Sequence, residues 1–181
     1  MQKRAAKAHS KEYRKERRGE RRKRADGGTA SGGGGRKATG KRAVVLATEA
    51  GQAALTPGTT LEMALLAEML KDHTHVPVEY ALSGPGLMNL HAALCALRGA
   101  SNAYNSPGEI TAAAISGSDP MARESLDVFC GLLGSAVGDM ALLYGAQGGI
   151  YLAGGILPQI REFLINSSFV ERFLNKGPMR A

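Results

Sequence analysis

Residues 148–158 read GGIYLAGGILP, and this stretch decides which class of fold we expect. Its apolar core contains a β-branched and an aromatic residue and is bounded by glycine, a pattern that predicts a buried strand over 148–153. Gly154 and Gly155 predict a turn after that strand. A second apolar run, AVVLAT at 43–48, predicts another strand.

Helices are predicted between and after these two strands from capping residues and apolar spacing. Thr60 and Asp119 are side chains of the kind that cap helix N-termini, and Pro158 suits a first helical turn. An extended segment is expected at 78–82. Strands that alternate with helices indicate an α/β layered fold. The predicted helices span 61–71, 87–97, 110–116, 119–144 and 158–165.

The composition narrows the class of protein. The chain has 181 residues, of which 44% are hydrophobic, enough for one domain with a sizeable core. Its two cysteines, Cys95 and Cys130, exclude a disulfide framework and lack the spacing of a zinc site, so we expect a reducing compartment. No run of 18 apolar residues is present, which predicts no membrane-spanning helix, and the charged N-terminus does not resemble a secretory signal.

The charge is divided unevenly along the chain. Residues 1–42 contain 16 Lys and Arg against 4 Asp and Glu, a net +12, whereas residues 43–181 carry a net −5. The first segment has almost no large apolar side chains, so we predict a disordered, basic, glycine-rich arm at 1–42 and a folded region at 43–181. The arm is interpreted as a solvated tail or as sequence from a misplaced start or another reading frame. The alternative is a nucleic-acid or acidic-surface binding function for the arm.

Several motifs occur in one order along the folded region. Residues 78–90, VEYALSGPGLMNL, resemble the E-x-x-L-S-G-P-G-L-x-N-L block of bacterial-type glucokinases, which are ATP-dependent hexose kinases. Phe129-Cys130, the glycines that follow it, and GGIYLAGGILP at 148–158 are similar to a second block of that family. Residues 49–52, EAGQ, fall where the family has E-G-G-H. These resemblances cover about 135 residues.

The resemblance implies an actin-like, ribonuclease-H-like sugar-kinase fold, of which this chain would hold most of the large domain. It implies transfer of the γ-phosphoryl group of ATP, with Mg²⁺, to the 6-hydroxyl of glucose at the entry to glycolysis, in the cytoplasm. Glu49, Gln52 and Glu79 would bind glucose, and Gly154 and Gly155 would lie at the nucleotide. Glucose and ATP are the implied partners, a homodimer is left open, and no nucleic-acid or membrane partner is expected.

The sequence also departs from the family pattern. Gln52 stands where the family has histidine, and Ala50 stands where it has glycine, which would restrict a turn with positive φ. The family's D-x-G-G-T phosphate turn and its general-base aspartate have no match here, so no catalytic residue is assigned. We therefore expect a large-domain region without the N-terminal small domain, inactive when alone.

Other polar residues have alternative interpretations. Asp139 is either a base or metal ligand or a polar helix residue beside a cleft. His73 and His75 are either a metal pair or ordinary loop residues, because no carboxylate or cysteine cluster completes a site. His91 is predicted to be a surface or lightly buried residue of its helix. Cys130 is predicted to be a core residue rather than a reactive thiol.

Overall fold

The computed structural model describes residues 48–180, and within them the chain is helical. Short 3-10 helices occur at Ala50–Gln52 and Gly177–Met179. The α-helices are α1 (Thr60–Met69), α2 (Val78–Ala81), α3 (Gly84–Arg98), α4 (Pro107–Ser116), α5 (Pro120–Leu143), α6 (Arg161–Ile165) and α7 (Phe169–Leu174).

The longer helices begin at side chains that accept a hydrogen bond from the first turn. Thr59, Ser83, Ser106 and Asp119 each accept from a backbone N–H two or three residues later, which satisfies one donor that the helix leaves unpaired. Proline occupies the first or second position of α3, α4 and α5. Helix starts are therefore encoded locally, and Thr59 rather than Thr60 caps α1.

The core surrounds α5. This helix packs against α3, α4 and α7, and α3 packs in turn against α1 and α2. Burial of aliphatic and aromatic side chains is the main stabilising contribution of such a core. The largest fully buried side chains are those of Phe129, Leu87, Leu90, Leu94, Ile110, Leu126 and Ile160.

A buried ion pair joins the first and last α-helices of the described region. Arg172 of α7 donates to both carboxylate oxygens of Glu62 of α1 at 2.8 Å, and its Nε donates to Ser135 of α5 at 3.0 Å. Glu62 also accepts from the Gly58 backbone N–H at 2.6 Å. The side chains are 12% and 4% exposed, so this paired and hydrogen-bonded arrangement offsets their desolvation.

The helices predicted at 61–71, 87–97, 110–116 and 119–144 are confirmed, whereas the one predicted to open at Pro158 begins only at Arg161, after turns at 157–160. Neither the strand predicted at 148–153 nor the extended segment predicted at 78–82 is found. The segment 148–153 is irregular and exposed. No backbone hydrogen bond joins it to another described residue, and a strand forms only where it pairs with a neighbouring strand. Residues 78–81 form the short helix α2 in place of the predicted extended segment, since the Tyr80 and Leu82 N–H groups donate back to the Pro77 and Val78 carbonyls. The strand predicted at 43–48 lies outside the described residues apart from Thr48, as does the predicted arm.

Helix α5 also corrects the expectation of no helix able to cross a membrane. Within the described residues it is long and apolar enough by length and composition, but half of its most apolar stretch is buried inside the protein. Ala122, Leu126 and Cys130 are its most deeply buried apolar residues, each 0% exposed. We interpret α5 as the core helix of this fold.

Candidate functional site

The turn at Glu49–Gln52 lies beside the start of α2. Glu49 directly precedes the 3-10 helix, and its backbone carbonyl accepts from the Gln52 N–H at 2.9 Å. The Glu49 carboxylate makes no capping hydrogen bond to the turn. Ala53 accepts from the Val78 N–H at 2.8 Å, which ties the end of the turn to α2. Ala50 is the first residue of the 3-10 helix, a conformation with negative φ, so alanine in place of the family's glycine causes no strain here.

Glu79 of α2 meets this turn through its side chain. The Gln52 amide Nε2 donates to Glu79 Oε2 at 3.1 Å. A Cβ placed on Gly51 would lie 3.4 Å from the Glu79 Cβ, which is ordinary van der Waals contact. Glu49, Gln52 and Glu79 are all exposed to solvent. The structure thus brings Gln52 and Glu79 into direct contact and leaves Glu49 three residues away along the same turn.

The Ser-Gly-Pro-Gly motif at residues 83–86 is explained by the contacts between α2 and α3. The Ser83 hydroxyl donates to the Glu79 carbonyl and accepts from the Gly86 N–H, both at 2.9 Å. Any Cβ at Gly86 would collide with the backbone carbonyl of Ala81, so only glycine allows α2 and α3 to join this closely. The motif therefore fixes the backbone of Glu79, in α2, next to the first turn of α3.

Asn89 is a residue of the motif whose role was not predicted from the sequence. Its amide Nδ2 donates to the Tyr80 carbonyl at 2.9 Å, so it fixes the end of α2 from within α3. Its position in the family block at 78–90 could have marked Asn89 as important in the sequence. The contact itself could not be predicted, because it depends on the close approach of α2 and α3.

Gly154 and Gly155 lie in the irregular segment after α5. Both are exposed, and a Cβ at Gly155 would meet no atom within 4 Å, while one at Gly154 would meet only Leu157 Cδ1 at 3.9 Å. Neither has a positive φ. No hydrogen bond between described residues joins these glycines to Glu49, Gln52 or Glu79. Their backbone is accessible, as close approach of a ligand would require.

A largely apolar groove of about 240 Å³ lies next to the candidate sugar residues. Ala50 and Val78, which are sequence neighbours of those residues, line it, but Glu49, Gln52 and Glu79 themselves do not. The far side is formed by the end of α5, including Asp139 and Leu143. Asp139 Oδ1 accepts from Lys176 Nζ at 2.6 Å, so the structure places this carboxylate in an ion pair.

The remaining candidates from the sequence are placed as follows. Cys95 and Cys130 are buried free thiols, and burial raises the pKa of Cys130 to about 12, which fits a packing role. His91 is 2% exposed, so the predicted surface or lightly buried position is wrong and the residue lies fully in the interior. His73 Nε2 lies 2.9 Å from Tyr80 Oη, and His75 Nε2 lies 3.0 Å from the Gln52 carbonyl. Among residues 48–180 no three His, Cys, Asp or Glu side chains form a metal-binding group.

Known proteins resemble this chain over most of its length. The glucokinase family model matches residues 9–181, so the match begins inside the predicted basic arm and the boundary at residue 42 stays a prediction. A glucokinase-like protein of Xylella fastidiosa is 59% identical over 138 residues, 76% of this chain and 41% of that protein. A glucokinase of Saccharophagus degradans is 41% identical over 152 residues, 84% of this chain and 47% of that protein.

A solved structure agrees with these relatives. The crystal structure of glucokinase from an Antarctic psychrotroph at 1.69 Å matches with a TM-score of 0.72 and 41% identity, over 78% of this chain and 44% of that chain. The chain spans two fifths to about half the length of the relatives that it matches. The predicted sugar-kinase resemblance is confirmed, because the matched region shares the fold of a glucokinase. This chain belongs to the glucokinase family.

Proposed function

We propose that this chain carries the glucose-binding part of a cytoplasmic, ATP-dependent glucokinase, with Glu49, Gln52 and Glu79 as the sugar-binding residues. In this proposal residues 43–181 form a large-domain region of an actin-like, ribonuclease-H-like kinase. The assembled enzyme transfers the γ-phosphoryl group of ATP to the 6-hydroxyl of glucose. Family membership supports the substrate class, and the local geometry supports the residues.

The observation that carries the proposal is the hydrogen bond between Gln52 and Glu79, 27 residues apart in the sequence. It supports one site built from the two motifs. A carboxylate can accept about four hydrogen bonds, so Glu79 retains capacity for a sugar hydroxyl while Gln52 orients it. Charge-assisted hydrogen bonds from hydroxyls are stronger than neutral ones, which suits two glutamates to fixing the ring of a hexose.

Gly154 and Gly155 are proposed to lie at the adenosine of ATP. The support is the accessible backbone of both glycines, which leaves room for a flat ligand against the chain. Mg²⁺ is bound in such enzymes chiefly through the phosphates and few carboxylates. We assign no Mg²⁺-binding residue to this chain.

The chain's own contribution to phosphoryl transfer is binding and orientation. Holding the 6-hydroxyl in place converts an encounter of two substrates into a reaction within one complex. The proton acceptor and the phosphate turn of the family pattern have no match in this sequence. We therefore propose that transfer requires a polypeptide segment that supplies those two motifs, and that the chain alone binds glucose without phosphorylating it.

Calorimetric titration of D-glucose into the full chain tests the sugar site. We expect saturable binding that Glu79→Gln weakens at least about tenfold, because a hydrogen bond to a charged group contributes about 1.5–3 kcal/mol. Glu171→Gln makes the same chemical change at an exposed carboxylate of α7 and should bind like the wild type. Equal affinity in wild type and Glu79→Gln, or no binding by the wild type, would contradict the proposal.

A further inference from the structure

Two histidines flank Thr74 in the loop between α1 and α2, and each contacts an element of the candidate sugar site. His75 lies against the turn that contains Gln52, and His73 lies against the helix that contains Glu79. The loop thus reaches both halves of the site. From the sequence alone, these two histidines could be either a metal pair or ordinary loop residues.

The contact of His75 is a hydrogen bond of defined direction. Its Nε2 lies 3.0 Å from the backbone carbonyl of Gln52, and a carbonyl oxygen only accepts, so His75 Nε2 carries the proton and donates it. The same residue, Gln52, donates from its side chain to Glu79 at 3.1 Å. His75 therefore holds the backbone of the residue that orients the Glu79 carboxylate.

The contact of His73 is with the other half of the site. Its Nε2 lies 2.9 Å from Tyr80 Oη, and the two rings meet edge to face with centroids 4.7 Å apart. Tyr80 directly follows Glu79 in α2, and its carbonyl accepts from Asn89 of α3 at 2.9 Å. His73 and Asn89 therefore hold α2 from two sides.

We infer that His73 and His75 are positioning residues of the sugar site, which hold the Glu49–Gln52 turn and α2 in the mutual arrangement that glucose binding needs. The inference rests on the proposed function. A metal pair is not favoured, since each ring nitrogen contacts a different partner, Tyr80 Oη for His73 and the Gln52 carbonyl for His75. Both histidines are exposed, so their hydrogen bonds compete with water and influence local order more than global stability.

The test compares two substitutions of His75 in the full chain by titration with D-glucose. His75→Leu removes the donor, and we expect the Kd to rise about fivefold while the thermal midpoint stays within about 2 °C of the wild type. His75→Gln keeps an N–H donor at similar reach, and we expect it to restore most of the affinity. Thr74→Ala changes the same loop without touching either contact and should bind like the wild type.

A double-substitution cycle asks whether His75 acts through Gln52. If it does, the double variant His75→Leu/Gln52→Ala should bind glucose no more weakly than Gln52→Ala alone. His75→Leu then has no effect, because the Gln52 side chain that it would misplace is already absent. Fully additive losses would overturn the inference. An unchanged Kd in His75→Leu would also overturn it. So would a loss of affinity that is accompanied by a lower thermal midpoint and that His75→Gln fails to restore.

An NMR measurement without sugar separates this inference from the proposed function. The side-chain amide resonances of Gln52 report its hydrogen bond to Glu79, and we expect them to shift in His75→Leu but not in Thr74→Ala. If the wild type binds no glucose, the proposed function fails whether or not these resonances move. If it binds glucose and the resonances do not move, only the positioning inference fails.

Discussion

His91 is a buried imidazole whose environment favours the neutral form. Its Nδ1 lies 2.9 Å from Ser125 Oγ, and since the Ser125 hydroxyl donates to the Met121 carbonyl, His91 Nδ1–H donates to Ser125. Cys95 Sγ lies 3.5 Å from its other nitrogen. Burial lowers the pKa of His91 from its usual 6.5, and the nearby Asp119 carboxylate opposes that effect only partly.

The lowered pKa of His91 predicts that stability depends on pH. The unfolded chain binds a proton at this residue at a higher pH than the folded chain does, so the free energy of unfolding falls as pH decreases below about 6.5. The contribution is fully present above that pH. Urea unfolding at a series of pH values between about 8 and 5 should show this decline.

Two substitutions assign the pH effect to the imidazole. His91→Asn keeps an N–H donor but does not titrate in this range, so it should flatten the decline below pH 6.5, although the smaller side chain lowers stability at every pH. Ser125→Ala removes the hydrogen-bond acceptor and leaves the buried imidazole, so the decline should persist. An equally steep decline in His91→Asn would show that other groups cause it.

At the scale of helices, the glycines of α5 determine how closely α7 packs. A Cβ at Gly134 would collide with the Phe169 carbonyl, and one at Gly138 would collide with Lys176 and the Phe173 carbonyl. The glycine spacing was visible in the sequence as part of a family motif. Its physical reason, the close approach of a second helix, became visible only in the structure.

Gly134→Ala should therefore destabilise the fold although alanine favours helix. The gain in helix propensity is about 1 kcal/mol, whereas overpacking against the α7 backbone costs about 1–3 kcal/mol beyond it. We expect a lower free energy of unfolding in urea. Gly148→Ala is the matched control, because its Cβ would meet no atom within 4 Å, and it should change stability by less than about 0.5 kcal/mol. A stabilised Gly134→Ala would contradict the packing described here.

Most helices were predictable from the sequence, whereas the strand at 148–153 and the extended segment at 78–82 were predicted wrongly, for one physical reason. The caps and prolines that begin α3, α4 and α5 act within a few residues, so local sequence encodes them. A strand is stabilised by a neighbour that is distant in sequence, and the run at 148–153 has no paired neighbour among residues 48–180. The same reasoning explains 78–82, where Pro77 and the turn into α3 favour a short helix.

At the scale of the whole molecule, the candidate site combines motifs whose order is visible in the sequence with contacts that only the folded chain creates. The order of the motifs containing Glu49 and Glu79 was readable in the sequence, and their elements do meet through Gln52. The links from His73 and His75 were not readable, because they join a loop to residues placed by the rest of the fold. Motif order therefore predicts which residues belong together, and tertiary packing decides what holds them there.

Exposed apolar side chains at the end of α5 and in the segment after it predict self-association. Leu143, Tyr144 and Tyr151 are 80%, 52% and 92% exposed, and grouped apolar side chains at a surface favour burial against another surface. Sedimentation velocity should show a sedimentation coefficient that rises with protein concentration. Leu143→Ser combined with Tyr151→Ser should suppress the rise, whereas Ile165→Ser, at a single exposed apolar residue of α6, should leave it intact. A wild-type chain that stays monomeric at every concentration would refute the prediction.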